Sequence, residues 1–198
     1  RNRCLGSDPT TVATLGRAAA DGMLAAGVLP VMKHMPGHGR AIADSHHGLP
    51  TVTAGFDDLD AMDFAPFRAL RDLPMGMTAH IRFTALDDAP ATASVKMIAL
   101  IRDRIGFDGL LMTDDITMNA LSGTQADRAA ASINAGCDLV LHCNGTIADM
   151  EPVVAAAGAM APDAQRRADA ALLQRRAPRD TDPAALMAEW RDLTAATA

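Results

Sequence analysis

Gly106-Phe107-Asp108-Gly109-Leu110-Leu111-Met112-Thr113-Asp114-Asp115 is the stretch from which the fold can be read. A glycine ends the preceding helix, an acidic turn comes next, and an uninterrupted apolar run then delivers two carboxylates. An apolar run without polar alternation reads as a strand buried on both faces. The same order of parts returns at Gly136-Cys137-Asp138, then Leu139-Val140-Leu141-His142-Cys143, with Asn144-Gly145 behind it. Helix, glycine stop, acidic turn and buried strand, repeated, imply parallel strands covered by helices.

The pattern extends in both directions along the chain. Ser7-Asp8-Pro9 is a helix start, with an oxygen side chain to cap free amides and proline in the first turn. Val12, Leu15, Ala19, Met23 and Ala26 recur at helical spacing and predict its buried face; Gly27 stops it. Val28 to Met32 is a short apolar run, with Pro30 near its start, that delivers Lys33-His34. Asp57 to Leu73 reads as a helix burying Met62, Phe67 and Leu70 and ending at Pro74, and Met75 to Ala79 is a second run, delivering His80. Arg82 to Ala93 reads as loop, and Ser94 caps a helix whose Ile98, Ile101 and Ile105 face inward up to Gly106. From Ile147 the chain is alanine-rich and helical, with breaks near Pro162 and between Pro178 and Pro183. Residues 1–177 are expected to form the α/β part, and 178–198 a helical tail packed on it through Trp190.

Lys33-His34, His80, Asp114 and Asn144 each stand at the carboxyl end of a predicted strand. In parallel α/β folds, and in barrels above all, that end is where ligands bind. Of the pair Asp114-Asp115, one carboxylate is expected to aim into a site and the other to serve the following turn. The first strand leads into Lys33-His34-Met35-Pro36-Gly37-His38-Gly39, then Asp44-Ser45-His46-His47, a run that its proline and glycines keep from being regular. Asp44 and His46 are spaced to pair, which would fix the imidazole tautomer for acid/base work. His34 and His38 have a zinc-like spacing on a helix, but Pro36-Gly37 argues against that helix. His80 reads equally as a packed core histidine or a substrate contact, and His47 and His142 read as structural.

Composition narrows the class. The 198 residues are 49% hydrophobic and 21% charged with a net charge of −6, a globular balance. The sequence pI near 5.4 gives no electrostatic footprint for nucleic acid or an anionic membrane. No apolar run approaches the ~20 residues that span a bilayer, and no secretory signal opens the chain, so a cytoplasmic setting is expected. Cys4 lies near the start, while Cys137 and Cys143 flank a strand and read as small core hydrophobes. Basic charge is almost all arginine, which makes Lys33 notable beside the histidines.

Lys33 to Gly39 with Asp44-Ser45-His46 resembles the β-N-acetylhexosaminidases of glycoside hydrolase family 3, the bacterial cell-wall-recycling type. The resemblance continues at Asn2-Arg3, Gly6 to Pro9, Thr78-Ala79-His80, Thr113 to Met118 and Ala135 to Leu141. Met35 stands where that family usually has phenylalanine, and Thr113 where it commonly has serine. The resemblance implies an α/β fold of (β/α)8 TIM-barrel type and a retaining glycosidase that removes terminal β-linked N-acetylglucosamine, as from muropeptides. It implies Asp114 as nucleophile, His46 with Asp44 as acid/base, Arg3, Lys33 and His34 as substrate contacts, and no metal or organic cofactor. His80 is carried as a further substrate contact. Such a barrel takes about 250 residues and eight strands. Only about four βα units are legible, so the chain is expected to be the C-terminal half of a longer enzyme and inactive without the N-terminal half. Three other readings stay open: a phosphorylase on the same scaffold, a metal-dependent hydrolase using His34, His38 and Asp114, and a non-catalytic fragment.

Overall fold

The structure is a computed structural model that describes residues 4–42, 48–178 and 180–195. In chain order the first half carries α1 (Pro9–Ala25), β1 (Val31–Met35), β2 (Thr51–Val52), α2 (Phe56–Asp58), α3 (Ala65–Ala69), β3 (Met75–Thr78) and β4 (Arg82–Phe83). The second half carries α4 (Val95–Ala99), β5 (Leu110–Asp115), α5 (Gln125–Ala135), β6 (Leu139–Leu141), α6 (Ile147–Ala157), α7 (Pro162–Leu173) and α8 (Pro183–Ala195).

Strands β1, β3, β5 and β6 form one sheet in that spatial order, and every neighbouring pair is parallel. Strands that succeed one another in space as in sequence, each reached through helical crossovers, make an arc of a (β/α)8 barrel. Leucine and isoleucine on the helices close one side of this arc. Phe64, Ile98, Ile101, Ile105, Phe107 and Leu111 share one buried cluster. Phe107 fits there because Gly76 and Gly109 leave room: a Cβ on Gly109 would meet its ring at 2.5 Å, and one on Gly76 at 2.9 Å.

The other side of the arc is barer. Register places Val31, Met75 and Leu110 in one row and Met77, Met112 and Leu139 in the next, all facing away from the helices. Met77 and Leu110 are buried, but Val31, Met75, Met112 and Leu139 are only half-buried.

Several expectations shift. The first strand starts at Val31 rather than Val28, because Pro30 has no N–H to enter the ladder. Lys33 and His34 therefore lie within β1 instead of after it. Asp8 caps α1 as expected, accepting from the Thr11 N–H at 2.9 Å. The core face of α1, however, is built from small residues: Ala20 is buried, and a Cβ on Gly16 would sit 3.1 Å from Leu70. Leu15, Ala19 and Met23, predicted to be inside, are not buried, and Leu15 and Met23 are exposed.

The helix predicted over Asp57 to Leu73 is broken by a π turn at Leu59–Asp63, where the Phe64 N–H donates to the Leu59 carbonyl. One extra residue in the turn rotates the next segment about the helix axis, so Leu59 and Phe64 are buried and Met62 is exposed. A second π turn, Leu100–Arg104, succeeds α4, and there Ile98, Ile101 and Ile105 are all buried as their spacing predicts. The stretch predicted as loop contains β4, which pairs in parallel with β2, and a 3₁₀ turn at Ala91–Ala93. Trp190 does not anchor α8: it is 60% exposed, and no residue of that helix is buried. No helix among the described residues is long and apolar enough to cross a membrane.

Candidate active site

β5 ends in two carboxylates with opposite surroundings. Along the strand, alternation turns Asp114 to the barer face and Asp115 to the helix side. The Asp114 carboxylate is 18% exposed; its Oδ2 lies 3.4 Å from His34 Nε2 on β1, and its Oδ1 accepts the Asp115 N–H at 2.8 Å. Among the described residues no lysine or arginine is ion-paired to it. It opens on a cavity of about 400 Å³ lined by Asp114, Asp115, Thr117, Met118, Asn119, Cys143 and Asn144.

Asp115 is saturated. Its Oδ1 accepts from the backbone N–H of Thr117 at 3.0 Å and of Cys143 at 3.1 Å. Its Oδ2 accepts from the Thr117 hydroxyl at 2.6 Å and the Asn144 amide at 3.0 Å. Burial pushes its pKa up, but the bonds from Thr117, Cys143 and Asn144 outweigh that and leave it below the usual carboxylate range. The two carboxylates thus differ in their bonding: Asp114 accepts one backbone N–H among the described residues, and Asp115 is held by the turn and loop around it. Ile116 fixes the exit of the loop in a small core with Leu121, Ala129 and Val153.

Of the other predicted site residues, Lys33 is exposed on β1. His38 packs its ring edge-on against His34, with centroids 5.6 Å apart. The loop they begin is tied down by Arg40, whose Nε donates to Asp63 at 2.6 Å, and by Gly37, where a Cβ would sit 3.1 Å from Asp63. Arg3, Asp44 and His46, and with them His47, lie outside the described residues. His142 is structural, its Nε2 bonding Gln125 Oε1 at 2.8 Å. Among the described residues no group of three or more His, Cys, Asp or Glu is gathered to hold a metal ion.

Two placements differ from expectation. His80, carried as a substrate contact, is 1% exposed, and both its ring nitrogens are engaged inside the protein, with Thr92 and the Asp115 carbonyl. It is not among the residues that line the cavity, and its ring is held between Thr92 and the Asp115 backbone. Cys143, read as a core hydrophobe, is exposed and lines the cavity. Its thiol is held up by burial and by the Asp115 and Asp114 carboxylates, against Lys33. Cys137 does behave as a core residue, and burial raises its thiol to about 12. Sequence reasoning passes over Thr117 and Asn119 as cavity residues; their one signal is position, just past a strand that delivers carboxylates.

Comparison with known proteins fits this geometry. The family described as the glycosyl hydrolase family 3 N terminal domain matches residues 1–171. The β-hexosaminidase of Tolumonas auensis is 41% identical over 151 residues, 72% of this chain and 45% of that protein. The one from Aromatoleum aromaticum is 37% identical over 190 residues, 93% of this chain and 52% of that protein. The chain thus spans about half the length of the curated relatives it matches. Among solved structures, a family 3 β-N-acetylglucosaminidase from Paenibacillus superposes with a TM-score of 0.79 at 32% identity, covering 90% of this chain and 38% of that one. NagZ from Neisseria gonorrhoeae, in complex with N-trifluoroacetyl-D-glucosamine, gives 0.76 at 32% identity, covering 94% and 53%. A parallel arc with an open carboxylate at the end of β5, matched over most of its length, makes this chain a member of glycosyl hydrolase family 3, carrying part of that family's N-terminal, TIM-barrel-type domain.

Proposed function

We propose that the protein carrying this chain removes terminal β-linked N-acetylglucosamine with retention of configuration, and that Asp114 is its nucleophile. The observation that carries the reading is the Asp114 carboxylate itself: strand-mounted, held among the described residues by one backbone N–H, and open to the cavity. In the first step an Asp114 oxygen bonds the anomeric carbon while the bond to the aglycone oxygen breaks, and His46 gives that oxygen its proton. In the second, His46 takes a proton from water, the water oxygen bonds the anomeric carbon, and the Asp114 carboxylate leaves. Asp44 orients and supports His46 in this scheme. The His34 imidazole beside Asp114, with Lys33 on the same strand and Arg3 nearer the start, supplies donors to sugar hydroxyls. Relatives named β-hexosaminidase and a structural neighbour holding an N-acylated glucosamine support the sugar. Muropeptide fragments are the proposed natural glycosides.

The half-covered inner face and the greater length of the relatives support a second element of the proposal. This chain supplies four strands of the barrel, and the remaining strands, with further substrate contacts, come from the rest of the protein. The 198 residues alone are then expected not to turn over an aryl N-acetyl-β-glucosaminide, and robust turnover by the monomer would overturn that element. The decisive experiment treats the active protein with a slow fluorinated N-acetylglucosaminyl donor and maps the attached sugar by mass spectrometry. Label on the peptide at Asp114 supports the nucleophile, and label elsewhere or none overturns it. Running the same assay with inorganic phosphate and looking for sugar 1-phosphate separates hydrolysis from phosphorolysis.

A further inference from the structure

The backbone ladder between β3 and β5 ends at the pair Met77 and Met112, before either strand reaches its polar end. Beyond that point a side chain takes over. His80 Nε2 lies 3.0 Å from the Asp115 carbonyl oxygen, an atom that only accepts, so Nε2 carries the proton. Burial holds this imidazole below its ordinary pKa, so the ring is neutral and Nδ1 is an acceptor. Thr92 Oγ1, 2.8 Å from Nδ1, donates into it, and Thr78 Oγ1, 2.8 Å from Thr92 Oγ1, donates in turn. The Thr92 hydroxyl also has the Ala79 carbonyl as an acceptor at 3.1 Å, which competes for its one proton at longer range than the 2.8 Å approach to Nδ1. Thr78, His80 and Thr92 are all buried, so this chain of donors has no water to compete with it.

The peptide unit that receives His80 is pinned on its other edge as well, where the Ile116 N–H donates to the Leu141 carbonyl at 3.0 Å. Asp115 in turn uses its own N–H to hold Asp114 Oδ1. That N–H belongs to the preceding peptide unit, which is joined to the pinned one through the Asp115 Cα, so holding the Asp115–Ile116 unit restricts the rotation of the unit that carries the N–H. We propose that His80 is a positioning residue: through the Asp115 carbonyl it fixes the backbone N–H that aims the Asp114 carboxylate, with Thr78 and Thr92 setting its tautomer. It acts on Asp114 without touching substrate, and its effect on turnover rests on the reading of Asp114 as nucleophile.

Two substitutions separate the atoms. His80→Asn keeps an amide near Nδ1 but cannot reach Asp115, whereas His80→Gln carries a donor to the Nε2 position. In the active protein, nitrogen-15 spectra of His80 are expected to show the Nε2–H tautomer. The Asp115 amide is expected to exchange about tenfold or more faster in H80N and within about threefold of wild type in H80Q, with equal far-ultraviolet circular dichroism. Thr92→Val, which removes only the donor to Nδ1, is expected to move exchange the same way by less, and it tests the idea if H80N does not fold. In the active protein kcat is expected to fall about tenfold or more in H80N with KM within about twofold, and to recover in H80Q. An Nδ1–H tautomer, or an Asp115 amide equally protected in wild type, H80N and T92V, would overturn the positioning role. Wild-type protein with no turnover but with the expected amide pattern would instead overturn the proposed activity and leave the positioning role standing.

Discussion

The two ends of the same sheet are both rich in charge and both carry a cavity, about 400 Å³ at the carboxyl end and about 360 Å³ at the amino end. They differ in what their charges have left to do. At the amino end Arg102 donates to the carbonyls of Phe107 and Gly109 at 2.9 and 2.8 Å and to Asp138 at 2.7 Å. Asp138, its side chain 4% exposed, also accepts from Arg167 at 3.0 Å and from the Leu111 N–H at 2.8 Å. Arg166 and Arg167 then share Asp108. Both oxygens of the buried carboxylate are filled by a network that ties α7 and the second π turn to the strand starts. At the carboxyl end Asp114 has, among the described residues, one backbone donor and an imidazole at 3.4 Å. Neither charge density nor cavity size therefore separates the two ends; among the described residues, how fully the carboxylate is bonded does.

Asp114→Ala in the active protein puts this contrast under the greatest strain. Turnover is expected to fall by at least about 10³-fold with the fold unchanged, because the proposed reaction forms its covalent intermediate on this carboxylate. A near-normal rate in a steady-state assay would remove the distinction between the two ends. His46→Ala is expected to cost about 10²-fold or more on glycosides with poor leaving groups and much less on activated aryl ones, since only the former need a proton. Equal losses on both substrates would count against the acid role.

Asp138→Ala should do the opposite of Asp114→Ala. Removing a buried carboxylate strands two guanidinium groups, and about 3–5 kcal/mol of stability should be lost. The urea midpoint reads this, while the rate per folded molecule stays put; a lowered rate with an unchanged midpoint would invert the contrast. The smallest effect is at Asp108, which the guanidinium groups of Arg166 and Arg167 hold down at about 2 from a usual 3.8. A carboxylate whose folded pKa is depressed contributes stability that is present above its unfolded pKa. That contribution is lost as the pH falls from about 4 towards about 2. The Asp108 side chain is 64% exposed, so water screens these pairs and the contribution is small. Asp108→Asn is expected to flatten slightly the acid limb of a melting-temperature profile; an unchanged limb would show that the pairs contribute nothing measurable.

The alternation of strand and helix was legible in the amino-acid order alone, because apolar runs and glycine stops are local signals. Gly106 and Gly136 do adopt left-handed backbone, at φ +78° and +111°, where a side chain would be strained. The opposite facing of Asp114 and Asp115 was legible too, since side chains alternate along a strand. The features that stayed open depended on partners distant in the chain. A π turn moved the buried row from Met62 to Phe64, and no period in the sequence marks where one extra residue enters a helix. His80 stood undecided between core and site because its two partners, Thr92 and the Asp115 carbonyl, lie 12 and 35 residues away. Cys143 changed from core to cavity because β6 ends at Leu141 and the loop behind it opens outward. Leu15 and Met23 changed from buried to exposed because the small residues Gly16 and Ala20 allow the closest approach to the rest of the fold. Local pattern decides which elements form; which face of each is covered, and which polar group is left open, is decided only when distant segments pack.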